Sequence, residues 1–265
     1  MNYITHRLDQ GQLGNMMFQV STLIATAKKN NCIPLMPDWK YTKYFKHTFP
    51  GPLVREITHH YTEPHFHYTP IDLNQSLEQT KADDKVFNLT GYYQSVRYWD
   101  FCERLIKEQF EPKTETLQKV YSKYSNWIFS DYTCSVHVRR GDYVGNDYYA
   151  QLGTDYYEGA MFAMKNRTPV SKFLIFSDDI AWCKENFVSM DQDIEFIEGN
   201  SDIEDLLLMS LCTNNIIANS SFSFWGSYLN SNPDKLVMAP SKDKWFGKNT
   251  QLNVNDLYLP NWILL

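Results

Sequence analysis

The sequence predicts a doubly wound α/β protein built in two halves on parallel sheets. Two observations predict it. Short strand-like runs alternate with helical stretches along the chain, and that alternation restarts after Tyr132, which puts a domain boundary near residue 130 (1–130 and 131–265). The opening segment also reads as strand, glycine turn, helix, strand, the first unit of a parallel sheet.

The elements follow in order. Asn2 to Leu8 reads as a strand, and a turn holding Gly11 and Gly14 follows it. Met17, Val20, Leu23, Ile24 and Ala27 recur at helical spacing within Met16 to Lys29. Cys32 to Leu35 resumes as a strand, and residues 37–70, rich in Pro, His and Tyr, read as long loops. Val86 to Leu89 is a strand entering GYYQS at 91–95, and helices are expected from Tyr98 to about Phe110 and from Thr114 to about Tyr124. In the second half, strands are expected over Tyr132–Val138, Lys172–Phe176, Ile194–Ile197, Asn215–Ala218 and Leu236–Ala239. Helices are expected between them over Asp155–Lys165, Ile180–Asn186, Asp202–Cys212 and Ser221–Asn230.

Composition narrows the function classes. The 265 residues are 43% hydrophobic, which suits a globular chain with a real core. A net charge of −6 argues against nucleic acid or an anionic membrane as a general partner. The aromatic load, 18 Tyr, 16 Phe and 7 Trp, suits stacking on sugar faces but equally suits an ordinary core, so it decides nothing alone. Five scattered cysteines without a C-x-x-C pattern read as reduced thiols of a cytoplasmic protein. His59, His60, His65 and His67 lack Cys or acidic partners at ligand spacing and read as a polar loop. Met1 leads straight into a strand with no basic segment and apolar run of a signal peptide. No apolar stretch approaches the ~18 to 20 residues of a membrane span. The expectation is a soluble chain, at most peripheral to a membrane.

Three loops at predicted strand ends carry chemistry, because open α/β sheets bind ligands there. His137-Val-Arg-Arg-Gly-Asp142 places Arg139 and Arg140 together, and a guanidinium fork grips a diphosphate well. The alternative is a structural Arg–Asp pair capping the loop. Asn219-Ser-Ser-Phe-Ser223 precedes a helix, where hydroxyls and free N–H groups cradle phosphate, or where a serine simply caps the helix. Asp178, Asp179 and the Asp191-Gln-Asp193 pattern could hold a metal, whereas Asp202, Glu204 and Asp205 suit the first turn of any helix. The Gly11 and Gly14 turn is neither a full dinucleotide fingerprint nor a P-loop.

Five segments resemble a known family in order: GQLGNMMFQ near the start, GYYQS at 91–95, HVRRGDY at 137–143, FSDD at 176–179 and DLLLMSLCTNNIIANSSFSFWGS at 205–227. They resemble the alpha-1,2-fucosyltransferases. The resemblance implies a GT-B-like fold of two facing Rossmann-like domains, an acceptor-side half (1–130) and a GDP-fucose-binding half (131–265). It implies an inverting enzyme that needs no metal and takes GDP-fucose as donor and a glycan, most readily a terminal β-galactoside at O2, as acceptor. By position, Arg139 would bind the β-phosphate of GDP, Arg140 would assist it, His137 would line the pocket and Asp142 would orient the arginines. Asp205 would accept from the guanine edge, Ser221, Phe222 and Ser223 would hold the nucleotide and phosphate, and Gly14 and Asn15 would face the donor. Asp147 is the candidate base, with a solvated loop acid as the alternative reading, and Asp155 looks like a helix cap. Met16 and Phe224 depart from the family pattern, as does the lack of a histidine between Tyr143 and Asp155, and these differences bear on acceptor and linkage. A binding protein without turnover, or a transferase of other linkage, is the alternative function.

Overall fold

The computed structural model describes residues 2–73, 85–130, 132–187 and 193–265. The chain divides into two compact units, Met1–Lys113 with Leu252–Tyr258, and Thr114–Gln251 with Leu259–Leu265.

The first unit is a four-stranded parallel sheet. Its strand β1 (Asn2–His6) lies between β2 (Ile33–Leu35) and a later strand, Lys85–Thr90, whose other side is covered by β3 (His59–Thr62). With Lys85–Thr90 numbered β4, the order is β2-β1-β4-β3. Helix α1 (Leu13–Lys29) is buried nearly all round from Leu13 to Ala27. It starts earlier than its periodicity suggests, so Gly14 lies inside the first turn while Gly11 takes the left-handed backbone (φ 78°). It ends after Lys28 and Lys29, whose charges suit the carbonyl end, and Asn31 turns left-handed (φ 52°).

The segment 37–70, read as loop, contains β3. His59 points inward there, its ring 4.9 Å from that of Phe87, so a histidine fills an apolar strand position. The expected helix over Tyr98–Phe110 is shorter, two 3₁₀ turns followed by α2 (Glu103–Gln109).

The second unit opens with α3 (Thr114–Ser130) and strand β5 (Thr133–Val138). It continues through α4 (Thr154–Lys165), β6 (Lys172–Ser177), α5 (Ile180–Phe187), β7 (Ile194–Phe196), α6 (Asp202–Leu211), β8 (Asn214–Ile216), α7 (Ser221–Leu229), β9 (Val237–Ala239) and β10 (Ile263–Leu264). The parallel order β10-β9-β8-β5-β6-β7 is the doubly wound Rossmann order. All six residues of β5 are buried: Cys134, Val136 and Val138 enter the core with Tyr157, Met161 and Ile175, while Ser135 faces away and accepts from Asn215 Nδ2 at 2.7 Å.

The two-unit division differs from a boundary at residue 130 in two respects. Helix α3 joins the second unit because it packs on α6, a partner far along the chain. Leu252–Tyr258 joins the first, where Asp256 accepts from the Tyr68 amide at 3.1 Å and its carbonyl takes the Ser95 hydroxyl at 3.1 Å. All five cysteines are unpaired, four of them buried.

Candidate active site

In the second unit the strand order reverses between β5 and β8, the kind of place where open α/β sheets bind ligands outside the carboxyl ends of their strands. The two motifs richest in polar groups occupy these ends. After β5 comes Arg139 to Tyr143; after β8 comes Asn219 to Ser223. Tyr143 ties them together, donating its hydroxyl to the Asn219 carbonyl at 3.1 Å. Burial pushes that phenol well above its usual range, so it stays a neutral donor.

Arg139 is held as a spread fork. Nη2 binds Asp142 Oδ1, Nη1 meets Asp178 Oδ2 at 2.7 Å, and the guanidinium lies 5.3 Å over the Tyr143 ring. Tyr143 is itself stacked on Tyr149, with centroids 3.7 Å apart. Arg139 remains 27% exposed, so it is fixed yet reachable. Arg140 turns elsewhere: Nε binds Asp179 Oδ2 at 3.0 Å and its guanidinium covers Trp182 at 3.9 Å. Arg140 thus pairs with Asp179 of the next loop, and among the described residues Asp142 binds Arg139 and not Arg140. His137 is buried against Phe222, rings 5.5 Å apart, and burial with the nearby Arg139 charge lowers its pKa to about 3. It is neutral, and its Nδ1 has no hydrogen-bond partner among the described residues.

Helix α7 begins at Ser221, capped by Ser220, whose hydroxyl accepts from the Phe222 amide at 3.3 Å. Ser221 and Phe222 are half-buried at this helix start, the end of a helix whose dipole favours an anion. Ser223 is only 1% exposed and its hydroxyl donates to the Ser220 carbonyl, so it is engaged within the helix.

The acidic residues divide by function. Asp178 and Asp179 serve the arginines; Asp191 lies outside the described residues. No group of three metal-ligating side chains is found among the described residues. Asp205 lies in the first turn of α6, with Oδ1 accepting from Asn200 Nδ2 at 2.9 Å. Asn200 is gripped in turn by the Tyr124 hydroxyl at 2.9 Å and Lys123 Nζ at 3.1 Å, both from α3. Burial raises the Asp205 pKa to about 6. Asp147 is exposed, and no hydrogen bond or ion pair among the described residues ties its side chain to Arg139 or Asp142. Asp155 is a first-turn residue of α4, and Gly153 holds the cap position expected for it.

In the first unit the reversal falls between β1 and β4. Asn15, at the start of α1, accepts from Gln94 Nε2 at 2.7 Å, joining GQLGN to GYYQS. His6 closes the end of β1, with Nε2 3.1 Å from the Gly91 carbonyl and Nδ1 accepting from the Leu8 amide at 3.0 Å. Asp178 as the partner of Arg139, and Asn200 and Tyr124 as the brace of Asp205, emerge only in the folded chain. The FSDD segment carried a signal for the first; nothing local signalled the others.

Gly141 allows the close approach of Asp178, because a Cβ there would collide with Oδ2 of that residue. Gly141→Ala is expected to cost about 1 kcal/mol of stability through overpacking. Thermal unfolding checks this.

Two parallel α/β units, one with the Rossmann strand order, define a GT-B-like fold. Solved structures agree: the chain is similar to FUT1 of Arabidopsis thaliana in complex with GDP, with a TM-score of 0.58 at 11% identity over 89% of this chain and 70% of that one. The chain belongs to glycosyl transferase family 11, which it matches over residues 3–265. It is 39% identical to the O-antigen biosynthesis glycosyltransferase WbnK of Escherichia coli over 50% of this chain and 44% of that protein. It is 35% identical to an alpha-1,2-colitosyltransferase of Escherichia coli over 65% of this chain and 60% of that one. Galactoside 2-alpha-L-fucosyltransferase Sec1 of Mus musculus is 26% identical over 96% of this chain and 72% of its own length. The chain thus spans about half of the first two relatives' length. No helix among the described residues is long and apolar enough to cross a membrane.

Proposed function

We propose that the protein is an inverting fucosyltransferase that moves L-fucose from GDP-fucose to O2 of a terminal β-galactoside without a divalent ion. The observation that carries this reading is Arg139, held as a fork by Asp142 and Asp178 at the switch point of a Rossmann sheet, on a loop that Tyr143 ties to Asn219 just ahead of α7. The acceptor hydroxyl attacks the anomeric carbon, the bond to the β-phosphate oxygen breaks, and the electron pair leaves on GDP. Charge grows on that oxygen, where Arg139 and the α7 amides complement it. Asp205 takes the N–H groups of guanine, and neutral His137 and Phe222 wall the pocket. Asp147, exposed and without an ion pair among the described residues, is the candidate acceptor of the hydroxyl proton. The names of Sec1 and the colitosyltransferase support a deoxysugar donor and a 2-linkage. We place the enzyme in the cytoplasm, a reading supported by its unpaired, mostly buried thiols.

Incubation with GDP-fucose, a panel of β-galactosides and EDTA is expected to yield a product one fucose heavier, linked at O2. A second donor, GDP-colitose, belongs in the same assay because identity to the colitosyltransferase is the higher of the two. Preferential use of it would reassign the sugar, and dependence on added metal would remove the ion-free reading.

A further inference from the structure

The first unit carries a carboxylate that neither the motifs nor the donor site accounts for. Glu63 follows β3 and lies against the Gly91–Ser95 turn. Its Oε2 accepts from the Tyr92 amide at 2.8 Å and from the Tyr93 amide at 3.0 Å, and its Oε1 is 3.1 Å from that same Tyr93 amide. The turn is strained: Tyr93 has a left-handed backbone (φ 52°), which a bulky side chain rarely adopts, and it is fully buried. A Cβ on Gly91 would collide with Glu63, so the turn and the carboxylate are fitted to each other. His6 fastens the opposite side through the Gly91 carbonyl. The held turn delivers Gln94 onto Asn15 at the strand reversal of this sheet, and Gln94 Oε1 is buried with no donor among the described residues. An orphaned buried acceptor at such a place calls for a donor from a ligand.

We propose that Glu63 is a positioning residue for the acceptor: it holds the strained turn that presents Gln94, braced by Asn15, to sugar hydroxyls. This rests on the transferase reading above. Amide side chains suit sugars because each supplies a donor and an acceptor to neighbouring hydroxyls.

The titratable groups that face Glu63 are Tyr61 of β3, Tyr93 of the turn and Tyr98 just after it. Burial first, and then the Glu63 charge, raises all three phenols, so they remain neutral. His6, edge-on to Tyr93, is neutral too, since burial lowers it to about 4. No cation among these groups offsets the burial of Glu63, whose pKa rises to about 7. Protonation as pH falls through that value removes part of its capacity to accept the two amides. It does not weaken the fold, because a carboxyl raised by burial is more stable folded when protonated.

The test uses the whole chain at saturating donor. Glu63→Gln is expected to lower kcat/KM for the galactoside about 30-fold, mainly through KM. GDP affinity by calorimetry should be unchanged. Gln94→Leu should act on the same parameter, and the double variant should lose no more than the larger single effect. Wild-type kcat/KM for acceptor should show an acid limb near pH 7 that Glu63→Gln lacks, with no fall in the thermal midpoint over the same range. Unchanged acceptor kinetics in Glu63→Gln, or additive effects in the double variant, would overturn the proposal. If Glu63→Gln fails to fold, the wild-type limb and the Gln94→Leu kinetics decide, and absence of either effect overturns it. A wild-type enzyme inactive on every galactoside would instead remove the acceptor reading itself, and this proposal with it.

Discussion

Arg139→Ala is expected to lower kcat about 10³-fold, the scale of losing one preorganised partner of a developing oxyanion. GDP affinity should fall much less, because the guanine contacts proposed for Asp205 are separate from it and the lost interaction grows as the bond breaks. Arg139→Lys should recover only part, leaving turnover about 10²-fold down, since an ammonium cannot span Asp142 and Asp178 as a fork does. The fold should tolerate both changes. Asp142 is 64% exposed and Asp178 28% exposed on their side chains, so water can solvate them once the arginine is gone. Single-turnover kinetics with calorimetry would separate the two effects. Near-normal turnover in Arg139→Ala would displace the phosphate from the site described.

Asp205→Asn is expected to weaken GDP binding about 100-fold, as charge-assisted bonds from the guanine edge are each worth roughly 1.5 to 3 kcal/mol. Its wild-type pH dependence follows from the raised pKa. Burial dominates, and the Glu204 and Asp202 charges add to it, against the opposing Asn200 hydrogen bond. The free protein therefore loses the charge as pH falls through about 6, and GDP affinity should decline toward tenfold per pH unit below that point. Above it the carboxylate is fully formed and this contribution is flat. The nucleotide's own phosphate also titrates, so the comparison is with Asp205→Asn, which keeps that component and lacks the other. Stability moves the other way. A carboxyl raised by burial favours the folded state when protonated, so Asp205→Asn should not destabilise the protein at neutral pH. An acid decline of equal size in both proteins would refute the assignment of Asp205.

These residues were legible in the sequence to different depths. Arg139 could be found because its strand, its glycine and its aspartate are neighbours along the chain. The strands of the second unit were readable for a similar reason: buried parallel strands are short apolar runs bounded by polar loops. Their ends differ from expectation by a few residues. Strand β3 was not readable, because His59, His60 and Tyr61 do not look like a strand until Phe87 is beside them. The brace from Tyr124 through Asn200 to Asp205 is built by packing between α3 and α6, and no local pattern records it. Glu63 is hidden likewise, since what marks it is the strained backbone of Tyr93, far along the chain. Arg140 shows the converse: its position beside Arg139 suggested a shared duty, and the folded geometry sends it to Asp179 and Trp182.

The return of Leu252–Tyr258 to the first unit has a practical consequence for anyone dissecting the protein. Neither unit is one contiguous segment, so a fragment ending at Lys113 would lack the strap that Asp256 fastens to Tyr68, Ser95 and Arg97. Supplying the missing heptapeptide through a linker, and watching whether the fragment then melts cooperatively, would measure how much that strap contributes.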